Sequence, residues 1–148
     1  MNLKFIKTLI VSVFFGLILQ STVIAQSSDA SEKFKEYFNE VVHKVEREDD
    51  FDQKRVVLNE SFENMMTAYK RVSSMNGISA EDQKGITELQ KNISAKMDEL
   101  NGRNGYDMVA DAQLNDFANY AQNDLEQANA VTISLTTVLL VVIILLLL

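Results

Sequence analysis

The fold is decided by residues 51–72, FDQKRVVLNESFENMMTAYKRV, which carry the clearest hydrophobic repeat of the chain. Apolar residues recur there at every seventh position, with aromatic residues between them: Phe51, Leu58, Met65 and Val72, then Phe62 and Tyr69. This spacing places one apolar stripe along a helix. The stretch therefore predicts a long amphipathic helix, which Asn76 and Gly77 bring to an end.

The segment before this helix predicts another one, over residues 31–48. Its apolar stripe consists of Phe34, Phe38, Val41 and Val45, with Tyr37 and Val42 beside it. The hydrophobic phase shifts after this stripe, which predicts a turn in which Asp49 or Asp50 caps the next helix. One bent helix that continues through the junction is the alternative.

Two further helices are predicted downstream. Residues 79–82 form a capping-box-like pattern, with Asp in the place of Glu, and open a helix with the stripe Ile86, Leu89, Ile93, Met97 and Leu100. Residues 101–105, Asn-Gly-Arg-Asn-Gly, break it. Asp111 is then expected to cap a last helix with the stripe Leu114, Phe117, Ala118, Ala121, Leu125 and Ala128.

Short connections force consecutive helices to run antiparallel. We therefore predict an all-α fold: a small up-and-down bundle of three to four amphipathic helices over residues 31–130, preceded by a disordered leader at residues 26–30. Coiled coils between separate chains are the alternative use of the heptads.

Residues 1–25 are typical of a secretory signal peptide. Lys4 and Lys7 precede an apolar core at residues 9–19, and Ala25 offers a small residue for cleavage before Gln26. An uncleaved anchor is the alternative.

Residues 131–148 contain no charged residue. A helix of that length reaches about 27 Å, close to the ~30 Å hydrocarbon core of a bilayer. The segment therefore predicts a single transmembrane helix, and because no Gly follows Gly105, it is free to continue from the last bundle helix. Residues 106–130 carry five acids and no Lys or Arg, which favours a body outside the cytoplasm. A processed tail of the GPI type is the alternative.

The composition and net charge exclude several classes of functional site. The chain of 148 residues has a net charge of −7, no Cys and one His. It therefore lacks the residues for disulfides, iron–sulfur clusters and thiol catalysis, and its acidity argues against nucleic-acid binding. A chain that is exported without Cys is more typical of bacteria, which favours the bacterial envelope.

Two groups of residues are candidate sites. Glu40 and His43 match the Glu-x-x-His pattern of di-iron bundles, but a complete site needs a second copy and His43 is the one His of the chain. A solvent-facing His43 is the preferred interpretation, and no metal or cofactor is predicted. Ala128, Thr132 and Thr136 form a row of small residues that would let the membrane helix associate with itself or with another helix.

The sequence shows no nucleophile elbow and no phosphate-binding Gly-rich loop. We therefore expect a non-enzymatic, single-pass membrane protein that acts by protein–protein contact, either with another protein or by self-association. A bundle that binds a small ligand or a metal is the alternative, and a GPI-type surface protein is another.

Overall fold

The architecture was determined from a computed structural model, which describes the backbone of residues 26–148 and the side chains of residues 32–128 and 133–148. Helices are the regular secondary structure of the described residues, which contain no strand, so the all-α prediction is confirmed. Five helices follow one another: α1 (Gln26–Arg47), α2 (Phe51–Ser73), α3 (Ala80–Asn101), α4 (Leu114–Thr132) and α5 (Leu135–Leu145).

Helices α1 to α4 surround one apolar core. Helix α1 packs against α2 and α4, and α3 packs against the same two helices from the other side. Polar side chains also bond between these helices. The Tyr37 hydroxyl of α1 lies 3.5 Å from the Ser61 hydroxyl of α2, and the Gln122 amide of α4 donates to Asn39 of α1. These four helices form the predicted bundle, and α5 adds a fifth that packs against α1 and α2.

The helix starts follow the capping signals of the sequence. Asp50 caps α2, and its side chain accepts a hydrogen bond from the backbone N–H of Gln53 at 3.0 Å. Helices α1 and α2 are therefore separate, as the phase shift predicted. Ser79 caps α3 by accepting from the N–H of Asp82 at 3.0 Å. Gly102, in the left-handed region at φ 64°, ends α3.

The predicted stripes supply nearly the whole core of the bundle, with two corrections. Val42 is more buried than Val41, because the face of α1 is centred between Phe38 and Val45. The prediction that Phe51 belongs to the buried stripe is wrong. Phe51 is 48% exposed, because it is the first residue of α2 and lies at the end of the bundle. The remaining members of the α2 stripe are buried: Leu58, Phe62, Met65, Tyr69 and Val72.

Two expectations about helix starts differ from the structure. Asp111 does not cap α4; it opens a short 3₁₀ turn, and its carboxylate instead accepts from the Arg55 guanidinium at 2.9 Å. Arg55 also donates to the carbonyl oxygens of Leu100 and Val109, so it fixes the connector between α3 and α4. Helix α1 begins at Gln26 rather than Ser31, because no Gly or Pro in residues 26–30 interrupts it.

The C-terminal run differs most from expectation. The prediction that the tail continues α4 as one helix is wrong, because Ile133 is extended at φ −134° and ψ 156° and separates α4 from α5. The run forms an 11-residue helix against the bundle. Among the helices of residues 26–148, none combines the length and the apolar character that crossing a bilayer requires. The predicted signal peptide, residues 1–25, lies outside the described residues.

Candidate functional site at the C-terminal helix

Helix α5 is the most apolar helix of residues 26–148, and Thr136 is the one polar residue on its exposed side. One face is buried in the core and consists of Thr137, Val138, Val141, Val142 and Leu145. The opposite face carries Leu139, Leu140 and Ile144, which are half-buried, and Ile143, which is 45% exposed. The last residues, Leu146 and Leu147, are 70% and 76% exposed. An amphipathic helix would carry polar side chains here.

The start of α5 is held by a carboxylate from another helix. Asp82, in the first turn of α3, is only 8% exposed. Its Oδ1 accepts the backbone N–H of Ser134 at 2.7 Å, and its Oδ2 accepts the hydroxyls of Ser134 and Thr137 at 2.7 and 2.8 Å. We call these three residues the Asp82 latch.

The latch satisfies a buried charge that would otherwise be costly. Burial by itself raises the pKa of the Asp82 carboxyl, but the hydrogen bonds from Ser134, Thr137 and Ser79 outweigh it and hold the pKa below the ordinary value of 3.8. Asp82 is therefore ionised at neutral pH. Its negative charge also lies at the N-terminal end of α5, where the helix dipole favours an anion.

The local sequence explains why the helix breaks where it does. Ser134, at φ −64° and ψ 153°, is the N-cap of α5, and its hydroxyl accepts from the N–H of Thr137. Serine is among the best N-caps, and the preceding Ile133 is a β-branched residue that adopts an extended backbone readily. The break thus combines a local cap with a carboxylate that is 52 residues away in the chain.

A second polar cluster joins α3 to α4. The Lys96 ammonium is buried, donates to the Tyr120 hydroxyl, lies 3.1 Å from Asp124 Oδ2 and sits 3.8 Å from the centroid of the Tyr120 ring. Burial lowers the pKa of Lys96, but its contacts with Tyr120 and Asp124 outweigh burial and raise the pKa. Lys96 is therefore positively charged, and its contacts hold α3 against α4.

An open cavity of about 250 Å³ lies beside this cluster, lined by Glu99, Val109, Gln113, Asp116, Phe117 and Tyr120. Pockets for small molecules are usually larger, at about 300–1,000 Å³, and enclose most of the ligand. This cavity is therefore below the usual size of a small-molecule pocket.

The residues considered as metal ligands lie apart from both clusters. Glu40 and His43 are exposed on α1, and His43 Nδ1 lies 3.3 Å from Glu46 Oε2 rather than close to Glu40. The described residues hold no group of three or more His, Cys, Asp or Glu side chains arranged to bind a metal ion.

The row of small residues is divided between two helices. Ala128 is half-buried on α4, whereas Thr136 is exposed on α5, beyond the break at Ile133. Thr132 is the last residue of α4. The row therefore does not form one face here, and the association that it predicts stays a prediction for a continuous helix.

The Asp82 latch is not evident from the sequence. The pattern Ser134-Leu135-Thr136-Thr137 carries an N-cap signal, which could have located the break. No local signal indicates that Asp82 bonds to Ser134, since Asp82 is equally suited to its predicted capping role at α3.

No protein family, curated protein or solved structure matches the chain.

Proposed function

We propose that this chain is a membrane-anchored helical protein with its body outside the cytoplasm, which acts by protein–protein contact as an adaptor or accessory subunit of an envelope assembly. The observation that carries the proposal is the apolar outer face of α5. In water this face, with Ile143 and the last leucines, remains exposed. A bilayer would cover it.

Energetics favour a bilayer as the second environment of this segment. Moving α5 out of the bundle into water would expose Val138, Val141, Val142 and Leu145, at a cost of about 1.5–3 kcal/mol for each side chain. The hydrocarbon core offsets the part of the cost that falls on α5, because it covers the buried face and the outer face of this helix together. Residues 131–148 contain no charge, and as a helix they reach about 27 Å, close to the ~30 Å hydrocarbon core.

The far end of the bundle supports contact with another protein. The α3–α4 connector presents Tyr106 and Met108, which are 47% and 59% exposed, and Phe51 is exposed at the start of α2. Arg55 bonds to the connector and to the end of α3, so these side chains belong to one end of the bundle. Helix α4 runs from this end towards the break before α5, so the exposed residues would face away from a membrane entered by the tail.

One substitution tests the membrane role without disturbing the core. Ile143→Asp places a charge within the uncharged tail, where it opposes insertion by up to about 2.5–3.5 kcal/mol, the cost at the centre of a membrane helix, yet its side chain lies at the surface of the bundle. We expect the variant to leave the membrane fraction of its host. Val56→Asp is the matched control, since Val56 is 44% exposed on α2, and it should stay membrane-bound. Equal membrane retention of both variants would contradict the proposal.

The intact mass of the membrane-bound protein then tests both ends of the chain. A mass matching residues 26–148 is the expected result, and it would mean a removed signal peptide and a retained tail. A mass that lacks the last residues would instead favour the GPI-type alternative, and the transmembrane anchor would be rejected.

A further inference from the structure

The Asp82 latch competes directly with a continuous C-terminal helix. In an α-helix that ran on from α4, the N–H of Ser134 would donate to the carbonyl of residue 130, four positions earlier. In the structure the same N–H donates to Asp82 Oδ1 at 2.7 Å. One hydrogen cannot make both bonds well, so the carboxylate of α3 and the continuation of α4 exclude each other.

The side chains of the latch reinforce this competition. The hydroxyls of Ser134 and Thr137 both donate to Asp82 Oδ2, and all three bonds hold the first turn of α5 at the N-terminus of α3. A straightened tail would carry Ser134 and Thr137 away from the bundle, because they belong to the segment that moves.

We infer that the folded-back position of α5 is a stored form of the membrane anchor, and that the Asp82 latch controls its release into a bilayer. This inference rests on the proposed membrane function and adds its regulation. On release, α4 and α5 join into one helix over residues 114–148, about 52 Å long, whose last eighteen residues are uncharged. The occupant of the outer face of α5 is then lipid.

The stored form also explains why α5 combines an apolar outer face with a hydrogen-bonded cap from α3. A permanently buried bundle helix gains nothing from an apolar outer face, whereas an anchor that enters lipid requires one. A permanent anchor, in turn, would have no use for a three-bond cap from a buried carboxylate in α3.

The test follows the tail itself. The chain has no Cys, so Ile143→Cys provides one attachment point for a fluorophore at an exposed position. The full chain is mixed with phosphatidylcholine vesicles that contain a nitroxide-labelled lipid, which quenches the fluorophore only where the tail enters the bilayer. Because the label lies at position 143, binding through residues 1–25 alone gives no signal.

The comparison is between Asp82→Asn and Glu81→Gln, which each remove one negative charge from the first turn of α3. Glu81 is exposed, so its variant should behave as the parent does. Asp82→Asn should raise the ratio of inserted to stored tail about tenfold. The neutral amide cannot accept all three hydrogen bonds that hold α5 to the charged carboxylate, so the stored form loses stability. Thr137→Val removes one latch bond with little change of shape and should raise the ratio in the same direction by a smaller factor.

The outcomes separate the two proposals. Equal insertion of the parent and all three variants would overturn the latch and leave the membrane anchor standing. Absence of quenching in every variant would reject the membrane function, and the latch as a release device with it. If Asp82→Asn unfolds, as circular dichroism would show, Thr137→Val decides the matter by the same criterion.

Discussion

Helices α3 and α5 both begin beside Asp82, yet the sides that they expose to solvent differ in polarity. On α3 the buried stripe is matched by a polar outer face, since all its exposed residues other than Ala80 are polar or charged: Glu81, Lys84, Thr87, Glu88, Lys91, Asn92 and Ser94. On α5 the outer face is apolar apart from Thr136. Packing into a bundle accounts fully for the sequence of α3 and for only half of α5.

The largest expected effect compares isoleucines on the two helices. Ile93→Ala, at a fully buried position of α3, should lower the free energy of unfolding by about 2–5 kcal/mol, because it leaves a cavity. Ile143→Ala, at a position 45% exposed on α5, should change it by no more than about 0.5 kcal/mol. Urea unfolding of both variants measures the difference. A comparable loss at Ile143 would break the comparison, since it would mean that another surface buries the outer face of α5 in water.

The next effect concerns the carboxylate that joins the two helices. Asp82→Asn should lower the free energy of unfolding by about 1–3 kcal/mol, because the amide cannot accept all the hydrogen bonds that the buried carboxylate accepts. Glu81→Gln should stay within about 0.5 kcal/mol, as exposed substitutions usually do. The comparison would fail if Glu81→Gln were equally destabilising, because the loss would then come from the helix dipole of α3 and not from the latch.

The fold was largely predictable because its signals are local. Stripes such as Ile86, Ile93 and Leu100, and caps such as Asp50 and Ser79, are set by neighbours within one or two helical turns. The position of α5 was not predictable in this way. An uncharged run can enter a bilayer or pack against a protein core, and the contact that holds it against the bundle joins Asp82 to Ser134 over 52 residues.

Acid should weaken the latch in a defined direction. The pKa of Asp82 in the folded protein lies below 3.8, so its ionised form contributes stability that is present above the pKa of the unfolded chain and is lost as the pH falls through the folded pKa. The parent should therefore lose more stability than Asp82→Asn below about pH 4. Urea midpoints of both proteins from neutral to acid pH measure this, and the difference between them removes the contribution of the other acids. A constant difference across that range would show that the latch bonds do not depend on the charge.

The smallest effect separates a local cap from a cap shared between helices. Ser79 and Ser134 are the N-caps of α3 and α5, and both side chains bond to the Asp82 carboxylate, but only the bonds of Ser134 connect that carboxylate to a different helix. Ser79→Ala should cost about 1 kcal/mol of unfolding free energy, as the loss of an N-cap usually does. Ser134→Ala should cost more, because its 2.7 Å hydrogen bond to the charged carboxylate also holds α5 against α3, whereas Ser79 and Asp82 lie at the start of the same helix. In the background of Asp82→Asn the excess cost of Ser134→Ala should disappear, whereas an excess that persists would show that the serine stabilises α5 by its own cap alone.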